Sequence, residues 1–252
     1  MEYVSSPNLP QGKVLVAAVS EQNQQIISAL KQQGIKCIKV TQHGGLAEPV
    51  QTHADMLLHH LGGKQILAAD KDAPYVEQLK LLGFEVSVLS QSLHKTYPGD
   101  VALNAARIGR TLFCRKDTAP EIVDYCAPNG IAVNFVNQGY ARCSVAIASP
   151  YAVITADSSI AKACETSGIE VLLIQPGFIK LPGYPYGFIG GCCGLIEKDV
   201  LAFTGNIFSH PNGKKIADFL TQRSVKYVCL TECELLDIGG ILPLMCRHKD
   251  TF

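Results

Sequence analysis

One succession of elements recurs five times between Lys13 and Leu244: an apolar strand, a short helix, a second strand, a polar or Gly/Pro-rich loop, and a third strand. The first strands start at Val14, Ile66, Thr111, Ala152 and Val200, at intervals of 52, 45, 41 and 48 residues. A period in this range marks a propeller or solenoid made of one supersecondary unit. No such unit can bury its apolar face alone, so the five must share a core. The expected fold is α/β: a five-bladed α/β propeller of ββαβ-type repeats with pseudo-fivefold symmetry and helices outside. It is expected to be a single domain over residues 1–252, with repeats at approximately 13–63, 64–109, 110–150, 151–198 and 199–246.

Local signals agree with that pattern. Each helix carries apolar residues at i, i+3, i+4 spacing, as in Ile26, Ile27 and Leu30 or Ile216, Phe219 and Leu220, which makes one stripe to pack on a sheet. Gly34, Gly83, Gly130 and Gly168 stand where four helices should end, and Ser224–Val225 replaces that signal in the fifth unit. Third strands are expected over Met56–Leu61, Val101–Ala106, Cys143–Ala148, Cys192–Ile196 and Ile238–Leu244. A tight turn such as Gly62–Gly63 follows, so each third strand should pair antiparallel with the next first strand.

Composition narrows the function classes. Hydrophobic residues make up 47% and charged ones 17%, which suits a large apolar core. Lys+Arg and Asp+Glu both number 22, and a net charge of zero argues against nucleic acid as a partner. The opening residues do not read as a secretory signal. No apolar run reaches the roughly 18 residues that span a bilayer, so no membrane partner is expected. The ten cysteines then read mostly as reduced, buried thiols of a cytoplasmic protein. Neither a G-x-G-x-x-G nor a Walker A pattern occurs, and no Cys/His spacing suits zinc, so no cofactor and no metal are expected.

The longest interruption is Gln175–Glu197, with three prolines, six glycines, four aromatics and the adjacent Cys192–Cys193. A loop this long in a compact domain is usually functional or disordered, and its aromatic content argues against disorder. Phe178, Tyr184, Tyr186 and Phe188 form either a lid or packing for the loop itself. Around a closed ring, residues entering the third strands should converge: His53 and Asp55, Asp100, Arg142 and Cys143, Cys192 and Cys193, and Asp237. Converging charges need partners, because burial costs several kcal/mol otherwise. They make either a structural Asp–Arg network or a ligand site.

Within that site, Cys193 or Cys192 with His53 as base and Asp55 as its orienter would form a Cys–His–Asp arrangement, unless the two cysteines only fill space. Asp55 and Asp100 would hold a cation, and Arg142 a carboxylate, which suits a zwitterionic, amino-acid-like molecule, with Asp237 a further substrate-binding candidate. Without a ligand, Arg142 should pair with one of the aspartates.

Period and strand order over Lys13 to Leu244, with the ending Asp237–Ile238–Gly239–Gly240–Ile241–Leu242, resemble the pentein family of guanidine-modifying enzymes, which includes arginine deiminase and dimethylarginine dimethylaminohydrolase. The resemblance implies a nucleophilic cysteine just after that glycine run and a histidine from the third unit. Here Pro243 or Leu244 stands near the first place, Cys246 comes a few residues late, and Gly139–Ile147 holds no histidine. The expected function is binding of a small polar, amino-acid- or guanidine-like molecule in a central channel. Two forms stay open: a cysteine-dependent hydrolase or transferase acting on C–N bonds of amidines or amides, and a non-catalytic binding protein on the same scaffold. Homo-oligomerisation also stays open.

Overall fold

The computed structural model describes residues 1–247; the last five residues of the expected domain, 248–252, lie outside them. In chain order the first half contains β1 (Glu2–Tyr3), β2 (Val14–Ser20), α1 (Gln24–Gln32), β3 (Lys36–Val40), α2 (Ala54–Leu57), β4 (Leu58–Gly62), β5 (Gln65–Ala68), α3 (Pro74–Leu81), β6 (Glu85–Val88), β7 (Ala106–Ile108) and β8 (Thr111–Cys114). The second half contains α4 (Pro120–Cys126), β9 (Ala132–Phe135), β10 (Val145–Ser149), β11 (Ala152–Thr155), α5 (Ser158–Thr166), β12 (Glu170–Leu173), β13 (Cys193–Glu197), β14 (Val200–Phe203), α6 (Gly213–Gln222), β15 (Lys226–Cys229) and β16 (Leu242–Cys246).

This is a mixed α/β fold with five small sheets. Four have three strands each, in the orders β4–β5–β6, β7–β8–β9, β10–β11–β12 and β13–β14–β15; the fifth runs β1–β16–β2–β3. Every sheet repeats one rule. An antiparallel pair, as in His59 opposite Leu67, is followed by a parallel one, as in Ile66 opposite Val86, and the fifth sheet adds β1 antiparallel to β16 outside that pattern. The parallel step is bridged by a helix, as a parallel crossover requires. Each sheet therefore takes one strand from the preceding sequence unit and two from the next, as the tight turns led one to expect. In the fifth sheet β16 pairs with β2, so the two ends of the chain complete it together.

Burial follows from this arrangement. The strands β4, β10, β13 and β16 are almost entirely buried, whereas β6 and β9 at the sheet edges are partly exposed. The helices bury the expected stripes, including Ile26, Ile27 and Leu30 in α1 and Ile216, Phe219 and Leu220 in α6. Where α1 ends, Gly34 takes φ +81°, and where α6 ends, Ser224 takes φ +57°. The serine thus occupies the left-handed position that glycine fills in the other units.

The third strands begin later than sequence alone suggests. Met56 and Leu57 lie in α2, Val101–Ala105 and Cys143–Ser144 precede their strands, and Ile238–Ile241 forms turns before β16. The reason is hydrogen bonding: in these approaches the backbone bonds to neighbouring sheets rather than along a ladder. The Asp55 N–H donates to Gly239 O at 3.2 Å, and the Gly191 N–H donates to Cys143 O at 3.1 Å. Side chains that a strand would alternate between two faces are instead gathered where the sheets meet.

Candidate functional site

His53 precedes α2 with an extended backbone (φ −65°, ψ +121°), and its side chain does not cap the helix. Its Nδ1 stands 3.7 Å from Oδ1 of Asp237, and both residues are buried. Asp237 is held firmly. Its Oδ2 accepts from the Phe188 N–H at 2.8 Å and its Oδ1 from the Gly239 N–H at 3.0 Å. Burial pushes the Asp237 carboxyl above its ordinary range and the charge of Asp55 adds to this, while His53 and the two N–H donors oppose it. Gly191 lies directly against the carboxylate, and a Cβ there would collide with Asp237 Oδ1.

A second polar group packs beside the first. The Cys143 thiol donates to Asp55 Oδ2 at 3.0 Å and accepts from Asn104 Nδ2 at 3.0 Å. Asn104 Oδ1 in turn accepts the backbone N–H groups of Arg142 and Cys143, and its Nδ2 also donates to Asp55 O. Burial, then the carboxylates of Asp55 and Asp237, hold the Cys143 thiol protonated well above its ordinary range. Beyond it, the Tyr140 hydroxyl donates to Asp100 Oδ2 at 2.6 Å. Burial raises Asp100 despite that bond. His53 Nδ1, Asp55 Oδ1 and Asp100 Oδ1 are buried and have no hydrogen-bond partner, which is uncommon for one cluster.

These residues surround two adjoining cavities. One, of about 250 Å³, has an aromatic wall of Tyr140, Tyr184, Tyr186 and Phe188, with His53, Cys143 and Asp237 facing it. Three of the rings meet at Phe188: Tyr140 stacks on it at 5.8 Å and Tyr186 meets it edge-on at 6.3 Å. The other, of about 390 Å³, shares His53, Leu181 and Asp237 with the first and has a mixed lining, with Ser20, Asn23, Glu48 and Thr52 beside Pro49, Pro182 and Leu236. Three of the loop's four aromatics thus face the cavity, while Phe178 packs edge-on against His210.

The grouping differs from the one expected from sequence. His53 faces Asp237 and not Asp55, which is engaged with Cys143. The Cys192 thiol donates to Ile189 O at 3.1 Å, and that of Cys193 points toward Gly190 O; neither lines the two cavities beside His53. Burial raises Cys192 well above its ordinary range and Cys193 to about 12. Arg142 does not pair with an aspartate. Its Nε donates to Asn8 Oδ1 at 3.1 Å and its Nη1 to Val145 O and Gly190 O, both at 3.3 Å. Carbonyls left open where two sheets meet supply that guanidinium with acceptors. It lines a small separate cavity with Asn8, Asp55 and Pro243. Asp100 reaches the aromatic cavity only through Tyr140. The sequence reading does not include Asn104 and Tyr140, which tie the cluster together; the lone amide within the apolar stretch Val101–Ala106 is the one signal that could have marked Asn104.

Solved structures share this architecture. The chain is similar to the inosamine-phosphate amidinotransferase of Streptomyces griseus, with a TM-score of 0.61 at 10% identity over 98% of this chain and 97% of that one. It is also similar to an amidinotransferase of Microseira wollei from the saxitoxin biosynthetic pathway, with a TM-score of 0.57 at 9% identity over 94% and 97% of the two chains. A dimethylarginine dimethylaminohydrolase matches with a TM-score of 0.54 at 9% identity, over 86% of this chain and 91% of that one. The chain therefore has the pentein fold. A search of curated proteins finds no match to the sequence. By its sequence the chain belongs to the family of unknown function DUF6873, whose family model matches residues 18–242.

Proposed function

We propose that the chain binds a small cationic molecule of guanidine or amine type in the aromatic cavity. In this reading the five sheets are the blades of a five-bladed α/β propeller with pseudo-fivefold symmetry, in one domain, and the cavity opens at its centre. The observation that carries it is the wall of Tyr140, Tyr184, Tyr186 and Phe188 set against the buried Asp237 carboxylate. Aromatic faces attract cations by ~0.5–2 kcal/mol each, and a buried carboxylate supplies the counter-charge. A cation would also relieve the crowding of Asp55 and Asp237 that raises both Asp237 and Cys143. The likeness to amidinotransferases and to a dimethylarginine dimethylaminohydrolase supports the guanidine type. In this reading the protein is cytoplasmic; among the described residues no helix is long and apolar enough to cross a membrane.

A second reading adds chemistry, and Cys143 and His53 facing one cavity favour it. The Cys143 thiol would pass its proton to Asp55 as the sulfur bonds to the amidine carbon, and the C–N bond would break with a proton from His53 going to the leaving amine. Water would then add to the carbon, giving a proton to His53, and the C–S bond would break as the sulfur takes its proton back from Asp55. The alternative is binding without turnover.

Calorimetric titration with butylguanidine tests the binding, and an assay of ammonia or amine release tests turnover. Binding that weakens several-fold in Phe188→Ala is expected. No heat and no thermal stabilisation with any guanidine or amine would overturn the proposal. Binding without release at any concentration would leave the non-catalytic form.

A further inference from the structure

We infer that the site selects against ligands bearing a carboxylate, and takes a cation whose far end is itself neutral or cationic. This rests on the proposed binding of a cation in the aromatic cavity and names the class of ligand. The two cavities share His53, Leu181 and Asp237, so a linear molecule with its cationic head among the rings extends past Asp237 into the larger cleft. That cleft is lined by Ser20, Asn23 and Thr52, with the Ser20 and Thr52 hydroxyls bonded to each other, and by two carboxylates, Asp237 at the shared wall and Glu48 beyond it. Among the described residues no lysine or arginine lines either cavity.

The basic group that does line them, the His53 imidazole, already faces Asp237. The arginine nearest the cluster, Arg142, spends its guanidinium on Asn8, Val145 and Gly190 and lines a different cavity. A ligand carboxylate would therefore lose its water beside Asp237 or Glu48 without gaining a cation, which is unfavourable on both counts. An amine or amide at the same end avoids that cost, and an amine gains Glu48. Glu48 is exposed, so it can be exchanged without disturbing the core.

The test compares three guanidines that differ only at the far end: arginine, argininamide and 4-aminobutylguanidine, each titrated calorimetrically into the full chain. Argininamide and 4-aminobutylguanidine are expected to bind at least about tenfold more tightly than arginine. In Glu48→Lys the gap between argininamide and arginine should close. Arginine binding as tightly as argininamide in the unaltered protein would overturn the inference while leaving cation binding intact, and would place the carboxylate elsewhere, for instance on the first turn of α1. A gap unchanged by Glu48→Lys would overturn the placement of the far end in the larger cleft. Failure of all three to bind would overturn both the inference and the reading it rests on.

Discussion

The Cys143 thiol donates a 3.0 Å hydrogen bond to Asp55 across 88 residues of sequence. A cysteine in that bond is held as the thiol, because ionising it would set a thiolate against the Asp55 carboxylate. Burial and Asp237 act in the same direction. Alkylation needs the thiolate. In the ligand-free protein Cys143, Cys192 and Cys193 should therefore label slowly with iodoacetamide at neutral pH, and the exposed Cys233 should label first. Asp55→Asn, which removes one charge in contact with the sulfur, should speed Cys143 about tenfold. Site-resolved mass spectrometry would decide it; a Cys143 that reacts as fast as Cys233 in the unaltered protein contradicts the bond.

Asp237 closes two backbone donors besides facing His53. Replacing it by alanine leaves the buried N–H groups of Phe188 and Gly239 without acceptors. Each such loss costs ~1–3 kcal/mol, so Asp237→Ala should lower unfolding stability by roughly 2–5 kcal/mol. Asp237→Asn keeps one acceptor oxygen and removes a carboxyl that burial disfavours, so its loss should be less than half as large. Urea unfolding of the two variants would separate these cases.

Gly191 has no room for a side chain. Its φ is not in the left-handed region, so the constraint is contact and not backbone strain: a Cβ would run into the Asp237 carboxylate from its Oδ1 side. Gly191 also donates to Cys143 O and accepts from Ile238 and Gly240 N–H, so it cannot shift freely. Gly191→Ala should cost ~2–4 kcal/mol and weaken cation binding with it. Gly168→Ala, at an open position with φ +74°, should cost only about 1–2 kcal/mol and leave binding unchanged.

Two adjacent histidines set a pH dependence. The His59 Nδ1–H donates to Leu103 O and the His60 Nε2–H to Gly63 O, and burial lowers both rings to about 4 from 6.5. His210 is lowered in the same direction, also by burial. A lowered histidine remains neutral in the folded chain while its unfolded counterpart takes up a proton. Its contribution is therefore complete above about pH 6.5 and falls as the pH drops toward about 4. Stability should decline by up to ~1.4 kcal/mol per pH unit for each histidine in that window. His60→Gln should make the decline shallower. Urea midpoints that stay level between neutral pH and about pH 5.5 would contradict the neutral, buried assignment.

Sequence alone determined the repeat, the strand–helix–strand order, the antiparallel step after each tight turn, and the helix stripes. These follow from neighbours within about four residues, or from glycines whose backbone freedom is visible in the chain itself. Even the Ser224–Val225 departure was legible, and Ser224 does take the left-handed conformation. The repeat also put His53, Asp55, Cys143 and Asp237, with Asp100, Arg142, Cys192 and Cys193, at one level of their units. What it lacked was which of them touch. His53 and Asp237 meet across 184 residues, because the turns before β4 and β16 come from neighbouring sheets, and Gly239 packs directly on His53. Cys192 and Cys193 drew notice by composition, yet their turn directs both thiols to backbone carbonyls. Arg142, expected beside an aspartate, found its acceptors in the carbonyls of Val145 and Gly190. Pairings of this kind depend on a few degrees of backbone direction where sheets converge, and that direction is decided only when all five have packed.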